Sequence, residues 1–176
     1  MQYLYHRVPP NMDSSTLYPL NKLKNTNPAI YAERIKKYKG REFVMEQRIP
    51  TLDCLWNDVI HLSAVHPQKI ENELKKFGSA LRGRKFFQID PNLLEPKNTT
   101  VYLFKQTDSK DKFVPENWTE YNPNDLEKYN KPSNKTIDYY KRTLAEGERP
   151  LLWLFIPHIL YKGSIDTSKL KIIEVE

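Results

Sequence analysis

The sequence predicts an α+β protein, a mainly antiparallel, mixed sheet carrying three or so helices. Three observations lead there. Short strand-like stretches rich in aromatic and β-branched residues recur from one end of the chain to the other. Helical periodicity occurs in only a few separated windows. The two patterns do not alternate in the regular way that parallel βαβ units require. At 176 residues the chain fits a single domain, 1–176, with a polar surface excursion at about residues 106–133.

Each element has a local reason. Residues 2–8 alternate and are rich in tyrosine, a first strand ended by Pro9-Pro10. Residues 11–27 read as loop, with Leu17, Leu20 and Leu23 packing as a short turn. Pro28 opens a helical pattern through Ile30, Ile35 and Tyr38, which Gly40 ends, and a short helix then carries Phe43 and Val44. Residues 55–65 form a strand or strand-turn. Residues 68–77 form an amphipathic helix with Ile70, Leu74 and Phe77 on one face and Gly78 at the stop. Short strands follow at 86–90 and 101–105, flanking a turn-rich segment. The excursion at 106–133 carries Trp118, Tyr121 and Tyr129, which predict an ordered surface flap. Residues 134–146 read as a helix with Ile137, Tyr140 or Tyr139, and Leu144 inward, stopped by Gly147. Leu-Leu-Trp-Leu-Phe-Ile at 151–156, apolar and bounded by prolines, predicts a central strand. Residues 170–175 close the chain as a last strand.

Composition narrows the function classes. The longest apolar run is far too short to cross a bilayer, and the N-terminus shows no signal-peptide pattern, so a cytoplasmic protein without membrane attachment is expected. The lone Cys54 cannot form an internal disulfide and fits a reducing compartment. The five glycines include no G-x-G arrangement, which argues against the common phosphate-loop and dinucleotide-binding folds. A net charge of +6 favours an anionic partner: a nucleotide, a nucleic acid or an acidic protein. Arg82-Gly83-Arg84-Lys85 reads as the tight basic cluster.

All four histidines, His6, His61, His66 and His158, lie in apolar or proline-bordered stretches rather than in polar loops. Imidazole changes charge near neutral pH and is costly to bury unsatisfied, so this placement is compatible with a site. It is equally what core histidines bonded to backbone would give. No pair has the spacing of a helical metal motif, and one cysteine cannot build a cysteine-rich site; no metal is expected. Cys54, between Leu52 and Trp56, reads as packing rather than as a nucleophile.

The order of elements resembles the ADP-ribosyltransferase-like fold and, within it, the toxin family that modifies DNA. The likeness spans most of the chain. It rests on Tyr5-His6-Arg7 in the first strand, on Asp58-Val59-Ile60-His61-Leu62-Ser63, and on 87–94 followed by Thr100-Val101-Tyr102. The segments at 152–157 and 172–175 resemble the family's last two strands. The resemblance implies an NAD-dependent transferase acting on a nucleic acid or protein acceptor. In it His6 would bond a ribose hydroxyl, Arg7 the pyrophosphate, and Ser63 and His61 the nicotinamide ribose. Tyr102 or Trp153 would wall the nicotinamide. The family's catalytic glutamate falls at Trp153 here, which leaves Glu148 (or Glu146), just upstream, to stabilise the charge that develops as nicotinamide departs. Two other readings stand beside it. One is a histidine-dependent RNA-cleaving protein, with His61 paired to His66 or His158 as general base and acid. The other is a non-catalytic interaction domain with structural histidines.

Overall fold

A computed structural model describes residues 2–10, 12, 14–81, 83–105 and 114–176. In chain order its elements are β1 (Leu4–Arg7), β2 (Thr16–Leu17), α1 (Leu20–Thr26), α2 (Pro28–Arg34), β3 (Arg48–Ile49), β4 (Cys54–Leu55) and β5 (Ile60–Leu62). There follow α3 (Pro67–Lys75), β6 (Lys85–Ile89), β7 (Thr99–Tyr102), β8 (Trp118–Glu120), α4 (Asn134–Ala145), β9 (His158–Tyr161), β10 (Ile165–Asp166) and β11 (Lys171–Glu174). The class is α+β, and every strand pairing among the described residues is antiparallel.

Two sheets carry the architecture. One runs β1-β6-β11, the other β5-β9-β7-β8. They meet where Tyr5 and Ser63 exchange both backbone hydrogen bonds, at 2.8 and 3.1 Å. The alternation of β6 feeds two cores at once. Phe87 packs with Leu4, Leu62, Val101 and Ile159, whereas Phe86 packs with Ile70, Leu74, Tyr140 and Ile156 beneath α3 and α4. A third cluster, including Ile49, Val59, Tyr102 and Leu160, backs the four-stranded sheet.

The two longer helices form for the reasons the sequence offers. Pro67 occupies the first turn of α3, His66 Nδ1 accepts from the Gln68 N–H at 3.1 Å, and Gly78 ends the turn beyond with φ +77°. Ser133 caps α4 by accepting from Thr136 N–H at 3.2 Å, and Gly147 stops it at φ +75°.

Three expectations are corrected. Residues 20–26 are a helix, α1, started behind Pro19 with Leu23 buried, where a turn was expected. The central strand at 151–156 does not form. α4 supplies hydroxyls where a neighbouring strand would have supplied amides: Tyr140 donates to the Leu152 carbonyl, and Thr136 to that of Leu154 at 3.2 Å. Ser133 donates to that of Phe155 at 3.4 Å, while the Leu151 N–H donates to Tyr139 Oη at 3.0 Å. With its backbone partners taken by side chains, the apolar run folds as turns and the strand starts after Pro157. The flap is also different. Residues 106–113 lie outside the described residues, but Trp118–Glu120 is β8, a full member of the sheet beside β7.

Candidate functional site

The short segments between β1 and β5 do more than connect. After α2 come a 3-10 turn at Ile35–Tyr38 and another at Glu42–Val44. They enclose a cavity of about 600 Å³, within the usual range for small-molecule sites of about 300–1,000 Å³. Three histidines from three strands line it: His6 on β1, His61 on β5 and His158 on β9.

Each ring is tied to backbone. His6 Nδ1–H donates to the His61 carbonyl at 2.9 Å, His61 Nε2–H to the Trp56 carbonyl at 2.9 Å, and His158 to the carbonyl of Ile156. A carbonyl has no proton to give, so the ring nitrogen facing it must carry the N–H, and each neutral ring keeps one lone-pair nitrogen. The rings of His61 and His158 stand 5.9 Å apart, edge to face. Loss of water lowers all three from the ordinary value of 6.5, to about 4 at His6, about 3 at His61 and about 4 at His158. The charges of Arg34 and Lys37 add to the effect at His6; His158, then Lys37, adds to it at His61.

An aromatic wall faces them. Trp56 packs on His61 (4.8 Å) and on Tyr102 (5.5 Å), and Phe104 on Tyr102 (4.5 Å) and His158 (5.0 Å). Phe104 and Phe155, 6.0 Å apart, both hold left-handed backbone, φ 56° and 62°, a conformation that bulky residues rarely adopt. Such strained positions concentrate at functional sites.

The third component is charge. Arg34, Lys37 and Arg41 line the cavity at i, i+3 and i+7, and no aspartate or glutamate lines it among the described residues. None of the three forms an ion pair there; Arg41 donates to the Lys37 carbonyl at 2.9 Å. Although Lys37 is exposed as a whole, loss of water at its ammonium and the nearby charges of Arg34 and Arg41 hold it below the ordinary lysine value. Finally, Asn57, only 2% exposed, lines the cavity and accepts from Tyr38 Oη–H at 2.7 Å through Oδ1, while its buried Nδ2 has no partner. An unpaired buried amide donor costs about 1–3 kcal/mol, which an acceptor on a ligand would remove.

Of the residues named from the sequence, His6, His61, Tyr102 and His158 converge here, and Arg7, Ser63, His66, Glu146, Glu148 and Trp153 do not. Arg7 follows His6 on β1, so strand alternation sends it to the opposite face, where it is exposed. Ser63 is buried away from the cavity, its Oγ accepting from Val65 N–H at 3.1 Å. Glu148 is exposed in the turn after Gly147, its N–H donating to the Thr143 carbonyl at 3.0 Å as part of the cap of α4; Glu146 is exposed as well. His66, the cap of α3, packs on Tyr5 at 4.9 Å and is not a cavity residue. The sequence reading passed over Arg34, Lys37 and Arg41, whose helical spacing was legible, and Asn57, whose burial was not. Among the described residues no group of three or more His, Cys, Asp or Glu is placed to hold a metal ion, and no helix is long and apolar enough to cross a membrane. Comparison with protein-family models, with curated proteins and with solved structures finds no match.

Proposed function

We propose that the cavity binds a nucleotide of the NAD or ADP-ribose class. The observation that carries the reading is the division of one cavity into a carboxylate-free cationic arc and an aromatic wall, with neutral histidines between them. Phosphates fit Arg34, Lys37 and Arg41, whose forked or pointed donors would form charge-assisted bonds. A planar base or nicotinamide fits Trp56, Tyr102 and the two phenylalanines. The lone pairs of His6, His61 and His158 suit ribose hydroxyls, which need acceptors.

Within this reading the chain is an ADP-ribosyltransferase-like protein, for a nucleic acid or protein acceptor, with one substitution of role. The position at which the resemblance expects a glutamate, Trp153, lies in the turns before β9 and does not line the cavity; on β9 the cavity-lining residue is His158. A neutral imidazole accepts from a ribose hydroxyl as a carboxylate does, but it lends no negative charge to a departing nicotinamide. Binding is therefore the property to measure first and transfer the second. Calorimetry with NAD, ADP-ribose and AMP tests it. Binding that is lost in Arg34→Ala and kept in Arg7→Ala supports the reading; no binding by the unaltered protein overturns it.

The His61–His158 pair favours a second reading, cleavage of RNA through its 2′-hydroxyl, with one imidazole as base and the other as acid. Both are held neutral, so the acid would have to take a proton from solvent, favoured by the negative charge of a bound phosphate. An RNA oligonucleotide cut where its 2′-deoxy counterpart survives would support this reading over the first.

A further inference from the structure

The cationic arc is the inner half of a longer feature. Residues 34–41 hold five basic side chains in eight positions, Arg34, Lys36, Lys37, Lys39 and Arg41, and no acid. Arg34, Lys37 and Arg41 line the cavity; Lys36 and Lys39, on the same short stretch of chain, do not line it and are exposed. None of the five forms an ion pair among the described residues, whereas lysines elsewhere do, as Lys76 with Glu73 at 2.8 Å and Lys97 with Glu95 at 3.4 Å. Past Glu42, which ends the run, Phe43 is 58% exposed, the largest exposure of any bulky apolar side chain described. Arg34 and Arg41 both repel Lys37, and the one acid felt by Arg34, Glu33, is exposed and does not line the cavity, an arrangement that an incoming polyanion would stabilise.

We propose that residues 34–41 form a contact strip for single-stranded nucleic acid, from which one nucleotide enters the aromatic cavity while the flanking phosphates lie on Lys36 and Lys39. The proposal rests on the nucleotide reading of the cavity and adds the partner. A small free nucleotide would be served by the three inward cations alone; the outward pair has work only if the anion continues past the mouth. Single strands suit the site better than duplex, because a stacked and paired base cannot reach a walled cavity. Basic residues tracking a backbone beside aromatic faces are the general device for holding unpaired strands.

The test uses the full chain, a labelled eight-nucleotide single strand (RNA and DNA) and its duplex in fluorescence anisotropy, with NAD and AMP followed by calorimetry. The double variant Lys36→Gln/Lys39→Gln is expected to bind the single strand roughly ten-fold more weakly and to lower the salt slope by about 1.4, two contacts at about 0.7 each. Its affinity for NAD and AMP is expected to stay within two-fold. Saturating AMP should displace the strand. Duplex bound as tightly as single strand, no effect of the double variant, or a strand that stays bound while AMP occupies the cavity would each overturn the proposal. If neither NAD nor AMP binds, the nucleotide reading falls instead, and the lysine dependence of strand binding then decides the strip by itself.

Discussion

Around α4, the hydroxyls of Ser133, Thr136 and Tyr140 reach the carbonyls of Phe155, Leu154 and Leu152 in turn. Around the cavity, Asn57 Nδ2 and, behind Tyr102, Trp118 Nε1 are buried and reach nothing. Both regions are aromatic, and they draw on the same kinds of elements. In the first, polar groups complete a fold. In the second, polar groups, cations and strained phenylalanines are left over after folding, which is how a surface built for a ligand differs from one built for packing. The α4 body has one blemish of its own, the buried Glu71: Leu81 N–H donates to its Oε2, and Lys75 lies 3.5 Å from Oε1.

If the two regions divide labour in this way, their variants should fail differently. Tyr140→Ala, at a fully buried site, is expected to cost about 3–5 kcal/mol of stability, in line with other large aromatic truncations, and chemical denaturation would measure it. Tyr140→Phe, which removes only the bond to Leu152, should cost about 1 kcal/mol. Arg34→Ala should leave the denaturation midpoint nearly unchanged while weakening nucleotide binding about 10–100-fold, the worth of one charge-assisted bond. Equal loss of stability in both variants would erase the contrast.

The acid limb sharpens it further. For His6, His61 and His158 the folded values, about 4, 3 and 4, lie below the unfolded 6.5, so between these limits the unfolded chain binds more protons. Their contribution to stability is complete above pH 6.5 and drains away as pH falls through about 4. The melting temperature should fall across that window, and His61→Phe should flatten the fall. A profile unchanged by this variant would mean that the ring is not held neutral by the cavity. Smallest is the effect of His66→Ala, which removes the cap of α3: about 0.5–1 kcal/mol in stability, with nucleotide binding untouched. A binding defect there would return His66 to the site.

Local rules reached far along this chain. Pro67 with Gly78 and Ser133 with Gly147 bracket α3 and α4, and β1, β6 and β11 follow from short aromatic or branched runs with turns between them. The failure at residues 151–156 has a physical source. Hydropathy says that a segment will be buried, not who will satisfy its backbone, and here hydroxyls of α4 do so in place of a strand. The candidate site divides along the same line. His6, His61 and Tyr102 could be named from their segments. Arg7, Ser63 and Glu148 could not be rejected from them, because whether a side chain enters a cavity depends on strand phase and on where a helix ends.

By itself the sequence determined the α+β class, the glycine stops of α3 and α4, the excess of positive charge and the concentration of histidine in apolar segments, all of which are local or compositional properties. Only the tertiary structure decided which histidines meet, that they meet without a carboxylate, and that three basic residues line the same cavity. Those facts depend on contacts such as Tyr5 with Ser63 and His6 with His61, more than fifty residues apart in the chain, where no periodicity carries information.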